Sequence, residues 1–344
     1  MASAAALLVK RALENYRRLL QTRLQQNWRE QRWPAALLKL AADYPQRGGR
    51  ALRASLCMAT AEAFGVPVEQ SLDSAVSIEL MHNAFLVHDD IEDDSEQRRG
   101  QPTLHRLHGV AAALNAGDAL ALMGLGPLLA NCATLGPRLG LRILEEAHAM
   151  ACETVAGQAL ELAFRSRDVM TLTAADYLLM SLKKTSWYTI IYPCRIGALI
   201  GTRDAVDLDQ FVKYGFFVGA AFQIQDDVLN LVGDIASYGK ELNGDLAEGK
   251  RTLLLIHTLQ HADARTRRHL RALLALPRAE RDARAVAYIR SAIEDHGSIA
   301  YAQSVAHALA GAAEHEYERA FAACTTSPAT AFLEALPRWV LERA

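Results

Sequence analysis

Residues 85–94 read Phe85-Leu86-Val87-His88-Asp89-Asp90-Ile91-Glu92-Asp93-Asp94 and close an apolar segment of helical spacing that begins near residue 69. On a helix, Asp89 and Asp93 share one face, about 6 Å apart along the axis, and Asp90 lies about 100° round from Asp89. Like charges at this spacing repel, and acidic residues at a helix C-terminus oppose its dipole. The cluster therefore costs helix stability unless cations neutralise it. A second stretch, Phe222-Gln223-Ile224-Gln225-Asp226-Asp227-Val228-Leu229-Asn230, repeats the plan: Phe, three residues, Asp-Asp, then a β-branched residue, again at the end of a long apolar helix. One Asp-rich turn reads equally well as a solvated helix end. Two such turns, each behind an apolar helix, point to a divalent cation, and Mg²⁺ in particular binds through one or two carboxylates together with substrate phosphates.

Working outward, helical periodicity recurs near residues 4–29, 50–64, 69–94, 110–132, 138–164, 173–201, 206–233, 252–275, 284–296 and 298–322. Loops are expected at 43–49, 96–102 and 233–249, where Pro45, Pro102 and several glycines break the pattern. Strand signals are scarce. The expectation is an all-α chain, a single large helical bundle of about ten or more helices forming one domain over 1–344. Hydrophobic residues make up 51%, ample for such a core, and the net charge of −2 gives no bulk field favouring nucleic acid or anionic lipid. Cys57, Cys132, Cys152, Cys194 and Cys324 are scattered, odd in number and outside any CxxC pair, as for reduced thiols in a cytoplasm rather than a disulfide framework or zinc site. The apolar run from Ala2 to Val9 is short and has no basic region ahead of it, unlike a signal peptide. No apolar run reaches the roughly 18–20 residues a membrane span needs.

Asp89-Asp90-Ile91-Glu92-Asp93 followed by Arg98-Arg99-Gly100 resembles the first aspartate-rich motif of the trans-isoprenyl diphosphate synthases, and Phe222–Asn230 resembles the second. Gly48-Gly49-Arg50-Ala51-Leu52-Arg53 resembles the family's Gly-Gly-Lys-x-x-Arg element, with Arg50 in place of lysine. His82 matches a family histidine. Gly157-Gln158, Lys184-Thr185, Gly239-Lys240 and Gly249-Lys250-Arg251-Thr252 resemble further elements, and Glu161 takes a position that is often aspartate. Read singly, Arg98 and Arg99 are equally counter-ions for the aspartates, and His82 a core histidine; the order of the motifs from about Gly48 to Thr252 carries the resemblance.

The resemblance implies a central prenyl cavity and head-to-tail condensation of isopentenyl diphosphate with an allylic diphosphate. It implies two or three Mg²⁺ ions held by Asp89, Asp90, Asp93, Asp226 and Asp227. Arg50, Arg53, His82 and Arg99 would hold isopentenyl diphosphate. Arg98, Lys184, Thr185, Lys240 and Lys250 would serve the allylic diphosphate, with Gln223 beside the developing cation. A homodimer is implied, for which the apolar segment Leu120 to Leu129 is a candidate interface. The Asp-Asp-x-x-Asn form ending in Asn230 and His82-Asn83-Ala84 resemble the geranylgeranyl diphosphate branch. Phe85 lies one turn before Asp89 and Met81 one turn deeper, so with the small Ala84 they are candidate walls of a twenty-carbon pocket, farnesyl diphosphate being the alternative product. Three other readings compete. A class I terpene cyclase would carry an Asn/Asp-x-x-Ser-x-x-x-Glu motif, absent near Asp226. A non-catalytic regulatory subunit would usually lose an aspartate motif, and a purely structural helical protein leaves both unexplained.

Overall fold

A computed structural model describes residues 3–166, 171–233 and 242–343. The chain begins with α1 (Ala4–Glu30), α2 (Ala35–Gln46), α3 (Leu52–Ala63) and α4 (Leu72–Glu92), followed by a hairpin of β1 (Gln97–Arg98) and β2 (Gln101–Pro102). Then come α5 (Leu104–His108), α6 (Val110–Thr134), α7 (Pro137–Ser166), α8 (Ala174–Ser181), a π-helical segment (Leu182–Ile191), α9 (Tyr192–Thr202) and α10 (Gln210–Val232). After these lie α11 (Gly244–Glu248), α12 (Leu253–His261), α13 (Ala264–Leu274), α14 (Ala283–Asp295), α15 (Ser298–Ala320) and α16 (Pro328–Glu342).

The all-α expectation holds, with local departures. The periodic segment 252–275 is two helices, because Asp263 leaves the helical line and caps α13 by accepting from the Arg265 and Thr266 N–H groups. The expected loop at 43–49 is helical as far as Gln46, with Pro45 inside the last turn of α2. The loop at 96–102 is an antiparallel hairpin with Arg98 opposite Gln101, turning through left-handed Arg99 and Gly100. Helix α16 was not among the periodic segments. It starts at a capping box between Ser327 and Thr330 and buries Phe332, Leu333, Leu336 and Val340. Helix α6 is long and apolar enough to cross a membrane by length and composition, which corrects the expectation of no such segment; half of its most apolar window is buried within the protein.

Two apolar clusters hold the bundle. One joins α1, α3, α4, α6, α9, α10 and α16 around Tyr44, Leu56, Leu80, Leu120, Phe211 and Tyr214. The other lies under the second half of the chain, around Tyr177, Ile224, Leu255, Ile289 and Ile293. Helix α4 packs along α6, and α10 packs on α15 and the π segment. The aspartate-bearing ends of α4 and α10 face one another across a cavity.

The π segment sets one wall of that cavity. Its i→i+5 winding is wider than an α-helix, so its neighbours must yield space. Gly157 of α7 and Gly219 of α10 supply it: a Cβ at these positions would stand 2.5 Å from Lys184 Cα and 2.6 Å from Ser186 Cα. We predict that Gly157→Ala and Gly219→Ala each lower stability by about 1–3 kcal/mol through overpacking, read as a lower urea midpoint by circular dichroism. Unchanged midpoints in both would mean the π segment shifts freely and does not depend on these glycines.

Candidate active site

The cavity measures about 530 Å³, and the ends of α3, α4, α10 and α16, the hairpin and the π segment contribute to its lining. At its first end the last turn of α4 brings Asp89 and Asp93 together with Glu161 of α7, their ligand atoms within 4.8 Å of one another. Among the described residues four cations from elsewhere in the fold reach this group, one of them Arg98 at 3.4 Å from Asp89. Lys184 of the π segment lies 2.9 Å from Asp89 and also pairs with Glu161. Lys250 lies 2.9 Å from Asp93 and 3.0 Å from Glu248. Arg165, one turn after Glu161, pairs with Asp93. Burial pushes the Asp89 carboxyl up, but Lys184, Lys250 and Arg98 outweigh it and hold the group well below the usual carboxylate range. Burial likewise opposes charge on Lys184 and Lys250, and their carboxylate neighbours reverse it, so both ammonium groups stay protonated.

Asp90 points away from this group. Its buried carboxylate accepts from Tyr44 Oη at 2.6 Å and from Arg98, whose Nε lies 3.0 Å from Oδ1. Across the cavity, Asp226 faces inward and pairs with Arg343 at 2.8 Å. Its neighbour Asp227 is buried and accepts from Tyr177 Oη at 2.7 Å and from Gln223 Nε2 at 2.8 Å. Burial, with Asp245 and Asp226 nearby, pushes the Asp227 carboxyl up. Gln223 in turn accepts from Thr185 at 2.8 Å, tying α10 to the π segment. Asn230 does not face the carboxylate group: its side chain accepts from the Asp245 N–H at 3.1 Å, fixing the start of α11.

The other end of the cavity is basic. Gly48, Gly49, Arg50, Arg53, His82 and Arg99 all line it. Arg53 donates to the neutral oxygens of Tyr188 and Thr189 at 2.8 Å each and lies 3.4 Å from His82 Nε2. Its Nε is buried without a hydrogen-bond partner among the described residues, a cost an incoming anion would relieve. Arg50 stacks over Trp339, and Arg99 donates to the Tyr44 carbonyl at 2.7 Å. Gly49 lies close to this arginine: a Cβ would stand 3.0 Å from Arg99 Nη2. Carboxylate oxygens at one end suit a hard divalent cation such as Mg²⁺, and the planar fork of a guanidinium suits paired oxygens of a diphosphate.

A sequence model of the polyprenyl synthetase family matches residues 34–293. The chain belongs to that family. It is 34% identical over 273 residues to a short chain isoprenyl diphosphate synthase of Methanothermobacter thermautotrophicus, covering 79% of this chain and 81% of that one. It is 36% identical over 220 residues to a (2E,6E)-farnesyl diphosphate synthase of Mycobacterium tuberculosis, covering 64% of this chain and 59% of that protein. The crystal structure of geranylgeranyl pyrophosphate synthetase from Pyrococcus horikoshii superposes with a TM-score of 0.83 at 30% identity, over 98% of each chain.

Within this polyprenyl synthetase the candidate residues gather around one cavity, apart from a few. Lys240 and Gly239 lie outside the described residues. Met81 packs toward Gly124 of α6, Ala84 is buried, and Phe85 stands edge-on to Tyr188, so Leu86 and His82 rather than Phe85 are the α4 residues on the cavity wall beneath Asp89. His88 faces Asp118 of α6 at 3.3 Å, away from the cluster. Arg165, Tyr44, Tyr177 and Arg343 escaped the reading of the motifs. Glu161 and Arg165 carried a signal, an i,i+4 acid–base pair one turn past Gly157-Gln158.

The geometry of Arg98 separates two roles. As the buried counter-ion of Asp90 it is structural; as a substrate ligand it is dispensable for folding. We expect Arg98→Met to cost about 3–5 kcal/mol in urea unfolding, because a buried carboxylate is left under-compensated, and Asp90→Asn in the same chain to recover much of that loss. Wild-type stability with weaker substrate binding would instead make Arg98 a substrate ligand.

Proposed function

We propose that this polyprenyl synthetase condenses isopentenyl diphosphate head to tail with an allylic diphosphate, and that geranylgeranyl diphosphate is its main product. The observation that carries this reading is the pairing, in one cavity, of a carboxylate group ringed by cations with a separate basic end. Two diphosphates need two such places, and a cyclase acting on one needs only the first. Asp89, Asp93, Glu161 and Asp226 are the residues that would hold Mg²⁺, two or three ions in all, with Asp90 and Asp227 fixing the helix ends behind them. Bound Mg²⁺ would neutralise diphosphate oxygens and so favour cleavage of the allylic C–O bond.

Lys184 and Lys250 hold positive charge where the departing diphosphate gathers its negative charge. Arg50, Arg53, His82 and Arg99 position isopentenyl diphosphate with its double bond toward the allylic carbon. That double bond forms the new C–C bond as the C–O bond breaks, and a proton leaves the adjacent carbon for the departing diphosphate. Thr185 and Gln223 direct side-chain dipoles at the cationic carbon, and Leu86, Met180 and Phe222 keep water away from it.

We further propose that the enzyme is a homodimer. Helix α6 buries Leu120, Met123 and Leu128 but leaves Leu122 and Leu129 more than half exposed, with Leu125 between them and Leu141 of α7 also exposed, an apolar surface that a second copy would cover. The free thiols Cys132 and Cys152 on and beside this helix pair suit a reducing cytoplasm.

Purified alone with Mg²⁺, the protein should consume isopentenyl diphosphate only when an allylic diphosphate is supplied, and light scattering should give a dimer. Asp89→Ala and Asp226→Ala should each lower kcat by at least about a hundredfold with the helical circular-dichroism signal retained. Turnover that required a partner chain would favour the regulatory-subunit reading, and cyclised hydrocarbon from the allylic substrate alone a cyclase.

The product-length reading rests on α4. Chromatography of dephosphorylated products should show C20 from the wild type and longer chains from Phe85→Ala, since Phe85 supports Tyr188 on the cavity wall. Ala84→Phe should shorten them. Wild-type lengths from both variants would take the measuring wall away from α4.

A further inference from the structure

The two aspartate motifs are neutralised in different ways. Around Asp89 and Asp93 the cations sit within the helical body: Lys184 in the π segment, Arg165 on α7, and Lys250 between α11 and α12. At Asp226 the guanidinium comes from Arg343, the residue where α16 gives way to extended backbone. Arg343 reaches far across the sequence. Its Nη2 lies 2.8 Å from Asp226 Oδ1 and donates to the Phe222 carbonyl at 2.5 Å, and its guanidinium carbon sits 3.5 Å over the Phe222 ring. The arginine side chain is only 6% exposed, whereas Asp226 keeps 33% of its own open to the cavity.

We propose that Arg343 competes with a divalent cation for Asp226, so that its guanidinium is a built-in, displaceable stand-in for the metal at the second motif. The inference rests on the reading of Asp226 as a metal ligand. Displacement gives up the Phe222 carbonyl bond and ring contact, and two features limit the cost. The helix behind Arg343 is held independently, by Phe332, Leu333, Leu336 and Val340 in the core, so the side chain can swing without unpacking α16. Trp339, one turn earlier, stacks under Arg50 at the basic end, so a released Arg343 stays at the edge of a cavity designed for anions. The exchange is also electrostatically balanced: a monovalent fork leaves Asp226 as a divalent ion arrives with its diphosphate, and the guanidinium gains phosphate oxygens for the carboxylate it loses. Asp227 could not serve in the same way, because Tyr177 and Gln223 already hold its oxygens from inside the bundle.

The test uses the full chain and Mn²⁺ as probe, with free Mn²⁺ followed by electron paramagnetic resonance in the presence of inorganic pyrophosphate. Arg343→Gln should bind Mn²⁺ about tenfold more tightly than wild type, the scale of one charged hydrogen bond removed from competition. Arg343→Lys should fall between them, and Asp226→Asn should abolish the gain in the Arg343→Gln background. Thermal melts supply a second readout: Arg343→Gln should lower Tm without Mn²⁺ and match wild type with saturating Mn²⁺ and pyrophosphate. If Asp226→Asn weakens Mn²⁺ binding but Arg343→Gln leaves it unchanged or weaker, the competition is refuted and Asp226 keeps its role as a ligand. If Asp226→Asn leaves Mn²⁺ binding untouched, the metal reading of Asp226 fails and the proposal with it.

Discussion

A carboxylate withdrawn from water must be met by opposite charge or by donors, and the end of α4 withdraws three. Asp89 and Asp93 share one face of a helix terminus and Asp90 lies about 100° round from it, where the backbone dipole already disfavours all three. The compensating cations cannot come from α4, so each is delivered by another element: Arg98 by the hairpin, Arg165 by α7, Lys184 by the π segment and Lys250 by the loop before α12. Positions far apart in sequence are thereby fixed relative to one helix end. The glycines that let α7 and α10 close on the π segment follow from the same demand, since Lys184 reaches both Asp89 and Glu161 only if that segment lies deep between its neighbours.

What the sequence disclosed, and what it withheld, divides along range of interaction. Asp89, Asp93 and Asp226 were legible because helical periodicity and charge spacing are local. Lys184, Thr185 and Lys250 had no local signal and were found through the order of the family motifs. Tyr44 and Tyr177 meet their aspartates from 46 and 50 residues away, and Arg343 meets Phe222 from 121. No local pattern marks such residues, because burial and direction in the folded chain give them their roles. The break between α12 and α13 was missed for the opposite reason: apolar spacing continues across it, and a single capping aspartate, Asp263, overrides that spacing. Arg98 shows the same limit, since a guanidinium next to aspartates reads alike as ligand and as counter-ion until its depth is known.

The internal echo between the two motifs reaches further than its residues. In each Asp-Asp pair the first member is the more exposed one on the cavity and the second is buried and held by a tyrosine hydroxyl, Asp90 by Tyr44 and Asp227 by Tyr177. The buried aspartate acts as a key for helix rotation. With Asp90 held, the helical step of about 100° aims Asp89 at Lys184, and with Asp227 held, the same step aims Asp226 at the opposite side of the cavity. A tyrosine suits this duty because it donates one directed hydrogen bond without adding a charge that would compete for the outward carboxylate.

The two keys differ in their second partner, and the difference sets the electrostatics of each end. Asp90 has the guanidinium of Arg98, so its negative charge is matched where it sits. Asp227 has the neutral amide of Gln223, and burial with Asp245 and Asp226 nearby pushes its carboxyl up. Asp226 is the more exposed of the pair where both line the cavity. A cation arriving there meets Asp226 on a helix end whose rotation is already fixed, with Asp227 and Asp245 also on the lining. At the first motif it meets Asp89, Asp93 and Glu161, already shared among lysines and arginines. The cavity thus carries two unlike acidic walls, one whose carboxylates pair with lysines and arginines of the helical body, the other where Asp226 pairs with Arg343 at the end of α16. A bound diphosphate would draw the two together, because its oxygens can satisfy the lysines of one wall and the guanidinium of the other at once.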